Sequence, residues 1–252
     1  MSNIQTFFDP VKDFLNCREL NYELVDQFVA TLIAMSKVAN QSVYIIDYNN
    51  QEFSYVSSHP LFLCGYKADQ VKELGYNYFE KVVQKDDLDM LMEINKKGFE
   101  FFYNLPSELR TQCFISYDFR LKHKNGNTFL INHKLTHFYL TERGDMWLAL
   151  CLINLSVNDK PGNVYIQMLN EPIKYSYSFK SKKFTHFQAV TISDRERQIL
   201  ELAAQGYSAI DIATKIYIDI NTVKYHKRNI FKKLGVKNIS EAIYYASINN
   251  MI

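Results

Sequence analysis

The chain has 252 residues, a formal net charge of +2, 47% hydrophobic and 15% aromatic content, and only 8 Gly and 5 Pro. That composition is globular, allows one or two domains, and excludes collagen-like, low-complexity and disordered polymers. No apolar run approaches the roughly 18 residues that span a bilayer, and Met1–Asp13 lacks the basic start and apolar stretch of a signal peptide, so the expected compartment is the cytoplasm, with no membrane partner.

Charge is unevenly placed. Residues 1–175 hold 17 Lys and Arg against 21 Asp and Glu, a net of −4, whereas residues 176–252 hold 12 against 6, a net of +6. A basic C-terminal part on an acidic body points to a polyanion partner for that part. Cys17, Cys64, Cys113 and Cys151 form no Cys-x-x-Cys pair and have no His at metal-ligand spacing. They are expected to be reduced and mostly buried.

Residues 1–40 form an N-terminal segment that is helical from about residue 11. Leu20, Leu24, Phe28, Leu32 and Met35 make an apolar stripe along it. VYIIDY (43–48) and FSYVSS (53–58) follow as two strands about an Asn49-Asn50 turn. From His59 to Leu105 the chain reads as short helices broken at Gly65 and Gly75. Gln112–Ser156 then holds three strand patterns, turning at Asn125-Gly126, a strong hairpin signal, and at Arg143-Gly144-Asp145.

Two strands, several short helices and a three-strand meander make residues 41–157 resemble a PAS domain, a small sensory fold with an antiparallel sheet. Three segments carry the likeness. CGYKADQVKEL (64–74) is similar to the family's Gly-Tyr helix region. VVQKDDLDML (82–91) is similar to its His-Pro-Asp-Asp segment, with Gln84-Lys85 in place of His-Pro. FRLKHKNGN (119–127) is similar to its Arg-x-x-x-Lys-Asp-Gly hairpin. The resemblance implies a sensor for a small molecule or a protein signal, and it identifies neither ligand nor cofactor. Residues 158–190 are expected to be a hairpin, NVYIQML and IKYSYSF about Asn170-Glu-Pro172, followed by an exposed basic linker from Lys180 to His186.

Several residues invite sharper chemistry. Asn16-Cys17-Arg18 is similar to a flavin-binding string of light-sensing PAS domains, but it precedes both strands, so no flavin is expected. Asp86, Asp87 and Asp89 fit a helix start, where acids complement the macrodipole, better than a metal site. His123, His133 and His137 are expected on opposite faces of neighbouring strands, without a Cys or acid to complete a metal set. Asp47 is placed like a receiver phosphoacceptor, yet the five-fold strand–helix alternation and acidic pair of a receiver are missing. With no nucleophile elbow, phosphate-cradling Gly loop or zinc spacing, no enzymatic activity is expected.

From residue 191 the punctuation is helical. Ser193-x-x-Glu196 and Ser208-x-x-Asp211 are capping boxes, Asp219 caps a third helix that Gly235 stops, and Ser240 is expected to cap a fourth. On the third helix Ile220, Val223, Ile230, Phe231 and Leu234 form the apolar side, beside a stripe of Lys224, Arg228 and Lys232. Residues 191–252 thus form four helices whose second and third make a helix-turn-helix pair, a shape that fits the major groove.

The run SDRERQILELAAQGYSAIDIATKIYIDINTVKYHKRNIFKKLGVKNISEA resembles the DNA-binding domain of the LuxR family of bacterial transcription regulators. The likeness rests on Arg195-Glu196, Ala204-Gln205-Gly206, Thr222-Val223-Lys224, His226 and Lys233-Leu234-Gly235-Val236. It implies duplex DNA as partner, a homodimer, and RNA polymerase as a further candidate. It also implies that Lys224, Tyr225 and Arg228 face base edges while Thr222, His226, Lys233 and Lys237 meet the backbone. Two departures stand out. Ala209-Ile210-Asp211 replaces the family's Asn-Lys-Glu, which removes one phosphate contact, and Asp219 replaces its Ser cap. The expected fold is an α+β PAS-like sensor domain joined to an all-α, four-helix LuxR-type helix-turn-helix domain.

Overall fold

A computed structural model describes residues 7, 9, 20–169, 173–188, 190–249 and 251–252. The chain divides into two compact units, Met1–Phe187 and Gln188–Ile252. Asn16-Cys17-Arg18 and the Asn170-Glu-Pro172 turn lie outside the described residues.

The first unit opens with α1 (Tyr22–Ala39), β1 (Ser42–Asp47) and β2 (Glu52–Val56). Helices α2 (Pro60–Leu63), α3 (Ala68–Leu74), α4 (Asn77–Val82), α5 (Lys85–Asn104) and α6 (Ser107–Arg110) follow. The meander is β3 (Cys113–Lys122), β4 (Thr128–Leu140) and β5 (Met146–Leu155). Then come β6 (Gly162–Met168), β7 (Ile173–Ser178) and β8 (Lys183–Gln188). All eight strands join one sheet in the order β2-β1-β5-β4-β3-β6-β7-β8. This is the PAS-like α+β arrangement, extended by three strands beyond β3.

Helix α1 packs on one face of the sheet, where Val25 is buried with Ile45, Trp147 and Leu148. The contact stripe is Val25, Phe28, Val29 and Leu32, spaced by three and four. Met35, the last member of the expected stripe, instead stands 59% exposed. The other face carries the main core, where Leu88, Leu91, Ile94, Phe99 and Phe102 of α5 meet Tyr44, Ile115, Phe119 and Ile131 of the sheet. Gly98 lets α5 approach closely, since a Cβ there would lie 3.3 Å from the Ile115 side chain.

Asp87 shows why the helix-start acids matter. It is in the first turn of α5 yet buried, and Arg120 donates to it from its backbone N–H at 2.7 Å and its Nε at 2.9 Å. Two segments that each resemble the PAS family only weakly are thus joined by a charge-assisted pair.

The extension beyond β3 depends on Asp118. This fully buried carboxylate accepts from Asn132 of β4 at 2.8 Å, from Asn158 at 2.6 Å and from Asn163 at 2.8 Å. Asn158 lies in the connection from β5 to β6 and Asn163 at the start of β6. The bonds therefore fix that crossing on β3 and support the register Asp118↔Gly162.

The expected basic linker from Lys180 to His186 is exposed at Lys180, Lys182, Lys183 and His186, but part of it is paired in the sheet rather than free. Lys183–Gln188 is strand β8, and Phe184 packs its ring 5.2 Å from Phe101 of α5. Alternation of Phe184 and His186 with polar neighbours gives this stretch one aromatic face, which favours pairing over solvation.

The histidine expectation also needs correction. His133 and His137, four apart on β4, both turn into the core, as the two-residue period of a strand requires. Among the described residues no group of three or more His, Cys, Asp or Glu is arranged to hold a metal. Cys64, Cys113 and Cys151 are free and buried, as expected. His133 Nε2 shares a 2.7 Å hydrogen bond with the Tyr44 hydroxyl, while neither ring nitrogen of His137 has a partner. A cavity of about 20 Å³ lies beside His137, bounded by Asn95, Gly98 and Tyr117. That is room for about one water molecule.

Removing the acceptor in Asp118→Ala takes one hydrogen bond from each of three amides, one of them on buried Asn132. The change is expected to cost about 1–3 kcal/mol of unfolding free energy, read by urea denaturation; an unchanged midpoint would contradict the role given to Asp118. Burial pushes His133 and His137 from 6.5 down to about 3. Because the folded values are depressed, their stabilising neutral state is complete above pH 6.5. Stability then falls as pH drops towards 3, with a slope approaching about 1.4 kcal/mol per pH unit for each histidine. His137→Leu should flatten that slope, and a midpoint independent of pH between 6.5 and 4 would refute it.

Candidate nucleic-acid interface

The second unit is four helices, α7 (Asp194–Ala204), α8 (Ala209–Lys215), α9 (Ile220–Leu234) and α10 (Ile239–Ile248). Each start is capped by a side chain. Ser193 and Glu196 close α7 reciprocally, Ser208 and Asp211 do the same for α8, and Asp219 accepts from Asn221 N–H at 2.7 Å to start α9. For α10 the cap is Asn238, not Ser240 as expected, with its side chain accepting from Glu241 N–H at 2.9 Å. Asn competes equally well for this position and stands one turn ahead of the Glu that completes it. Gly235, at φ +69°, ends α9 in the left-handed conformation.

The core beneath is Ile199, Leu200, Ile212, Ala213, Ile216, Val223, Ile230, Leu234, Ala242 and Ala246. Burying Val223, Ile230 and Leu234 fixes the rotation of α9 and leaves its opposite side in solvent. Between α8 and α9 the chain turns through Tyr217, a non-glycine residue at φ +54° whose side chain is 95% exposed. Ile218 N–H returns to Ala213 O at 3.0 Å and sets the tight connection.

Thr222, Lys224, Tyr225 and Arg228 all lie exposed on the solvent side of α9. Arg228 folds back along the helix, its Nε donating to the backbone carbonyl of Lys224 at 3.4 Å. His226 is half-buried beside Tyr225, the ring centroids 5.7 Å apart. Lys237 is exposed beyond the end of α9, where its backbone N–H donates to Glu241 at 2.8 Å.

Lys233 differs from the rest. Its Nζ lies 2.7 Å from the Oε2 of buried Glu196, so it ties α9 to the cap of α7. Burial pushes the Glu196 carboxyl up, but the bonds from Lys233 and the Ser193 N–H outweigh it and hold the group below its usual value. Arg195 adds a second brace, donating to Ile216 O at 3.0 Å. Neither tie is visible in the sequence, because each joins residues about twenty or more positions apart. Ile210, where the resembling family carries Lys, is 64% exposed and offers no charge.

Residues 190–246 match the family described as bacterial regulatory proteins, luxR family. The response regulator protein VraR of Staphylococcus aureus is 44% identical over 61 residues, which cover 24% of this chain and 29% of that protein. The chain therefore spans under a third of the length of the curated relatives it matches. Among solved structures, the transcription factor GerE is 35% identical over 24% of this chain and 90% of its own, with a TM-score of 0.24. Vibrio cholerae VqmA is 16% identical over 92% of this chain and 89% of its own, with a TM-score of 0.30. The C-terminal unit thus carries a match to the luxR family of bacterial regulatory proteins, and the N-terminal unit has a PAS-like order of strands and helices.

Proposed function

We propose that the chain is a transcription regulator whose PAS-like unit senses a signal and modulates the grip of α9 on duplex DNA. The observation that carries it is the solvent face of α9, with Lys224, Tyr225 and Arg228 exposed on a helix whose rotation is fixed by its buried side. In this reading those three residues address base edges in the major groove, and Thr222, His226 and Lys237 meet phosphates. Lys233 joins the phosphate contacts only in so far as its bond to Glu196 permits. A homodimer on an inverted repeat is the fitting assembly, since paired recognition helices then lie about one turn of DNA apart. RNA polymerase as a partner and the cytoplasm as its place accord with such a role.

Two kinds of signal have support. The close packing of the Tyr44, Phe53 and Phe62 rings favours control by protein contact. The unpartnered nitrogens of His137 beside a cavity favour a very small polar ligand. Control by phosphorylation at Asp47 lacks such support, because that carboxylate is fully buried and accepts from the Asn49 and Asn50 N–H groups.

The test is a salt titration of DNA binding. Lys224→Ala with Arg228→Ala is expected to weaken binding at least tenfold, while loss of the phosphate contact in Lys237→Ala should make the dependence of log affinity on log salt shallower by about 1. An unchanged affinity in the double variant would remove α9 as the reading element.

A further inference from the structure

Helix α5 meets two partners on two sides. Its inner side packs on the sheet through Leu91, Ile94, Phe99 and Phe102. Its outer side holds the β7–β8 hairpin. There Glu93 accepts from the Tyr177 hydroxyl at 2.8 Å and pairs with Lys182. About two turns further on, the Phe101 ring lies 4.9 Å from Tyr175 and 5.2 Å from Phe184. Both hairpin strands and the turn between them are therefore fastened to one helix.

Three features make this more than packing. First, β8 ends at Gln188, the residue at which the DNA-binding unit begins, so the hairpin is its covalent lead. Second, Lys182 adopts φ +56°, a costly conformation for a residue with a Cβ, held in a turn closed by Lys182 N–H to Ser178 O at 2.8 Å. Third, the two ends of α5 are anchored elsewhere. Asp87 binds Arg120, and Arg110 donates to the carbonyls of Phe102, Tyr103, Leu105 and Gly144. The helix is thus held as a rigid rod, with the Glu93 and Phe101 contacts on its outer flank.

We propose that α5 is the output element of the sensor unit, and that the Glu93–Tyr177–Lys182 clamp passes its displacement to β7–β8 and so to the DNA-binding unit. This rests on the reading that the N-terminal unit controls DNA binding. A signal that shifts α5 against the sheet, from either side, then alters the lead into α7. The bonds to Glu93 and the Phe101 ring contacts hold both hairpin strands to α5, so the hairpin follows the helix.

The experiment uses the full chain and a duplex selected from random sequence by the wild-type protein. Glu93→Lys and Lys182→Glu are each expected to speed amide exchange in β7–β8 and to change affinity for that duplex by about fivefold or more. The double variant restores the charge pair and should return both readouts towards wild type. Tyr177→Phe, which removes only the second bond to Glu93, should shift both in the direction of the single charge reversals. Faster exchange with unchanged DNA affinity in the single variants would overturn the proposal while leaving the DNA-binding reading intact. A wild-type chain that selects no duplex would defeat that reading itself, and the output role with it.

Discussion

A buried carboxylate must find donors, and Asp118 finds them on a segment that would otherwise be free to leave the sheet. Asn158 and Asn163 bind it from the chain after β5, and Asn132 binds it from the neighbouring strand. Burial pushes the Asp118 carboxyl up, and the three amides oppose that shift. With the crossing fixed there, β6 has β3 as its neighbour, β7 follows β6, and the chain reaches the outer flank of α5. The sheet grows from five strands to eight, and the segment leading to the C-terminal unit is a strand with side-chain partners.

The two units are built by different physics. In the first, long-range ties decide the arrangement. Asp87 with Arg120 fixes the start of α5, Arg110 gathers the carbonyls at its end, and Glu93 holds the hairpin. In the second, local signals nearly suffice. Each helix carries its own N-cap, and the buried residues recur at helical spacing. The ion pair from Lys233 to Glu196 then locks α9 to α7, so one of the cations near the end of α9 has a structural duty.

That contrast decides how much is legible in the amino-acid sequence. The capping boxes at Ser193 and Ser208, the Asp219 cap and the Gly235 stop are written within a few residues and can be read directly. The face of α9 follows from the positions of Val223, Ile230 and Leu234. The order of strands and helices in the PAS-like unit is readable from alternation and turn residues. The fate of Lys180–His186 is not, because a Lys-rich stretch looks solvated until Phe101 is known to lie opposite Phe184. The inward turn of both His133 and His137 is available from strand parity, but only when positions are compared along one strand rather than between strands. The cap of α10 is ambiguous because Asn238 and Ser240 are both competent and only geometry chooses between them.

That the solvent face of α9 reads duplex DNA is tested most directly by following backbone amide resonances of the full chain as the selected duplex is added. Saturable shifts concentrated at Thr222–Arg228 are predicted, with smaller changes near Lys237 and little in the α7 core about Ile199. Shifts centred elsewhere, or none that saturate, would contradict it.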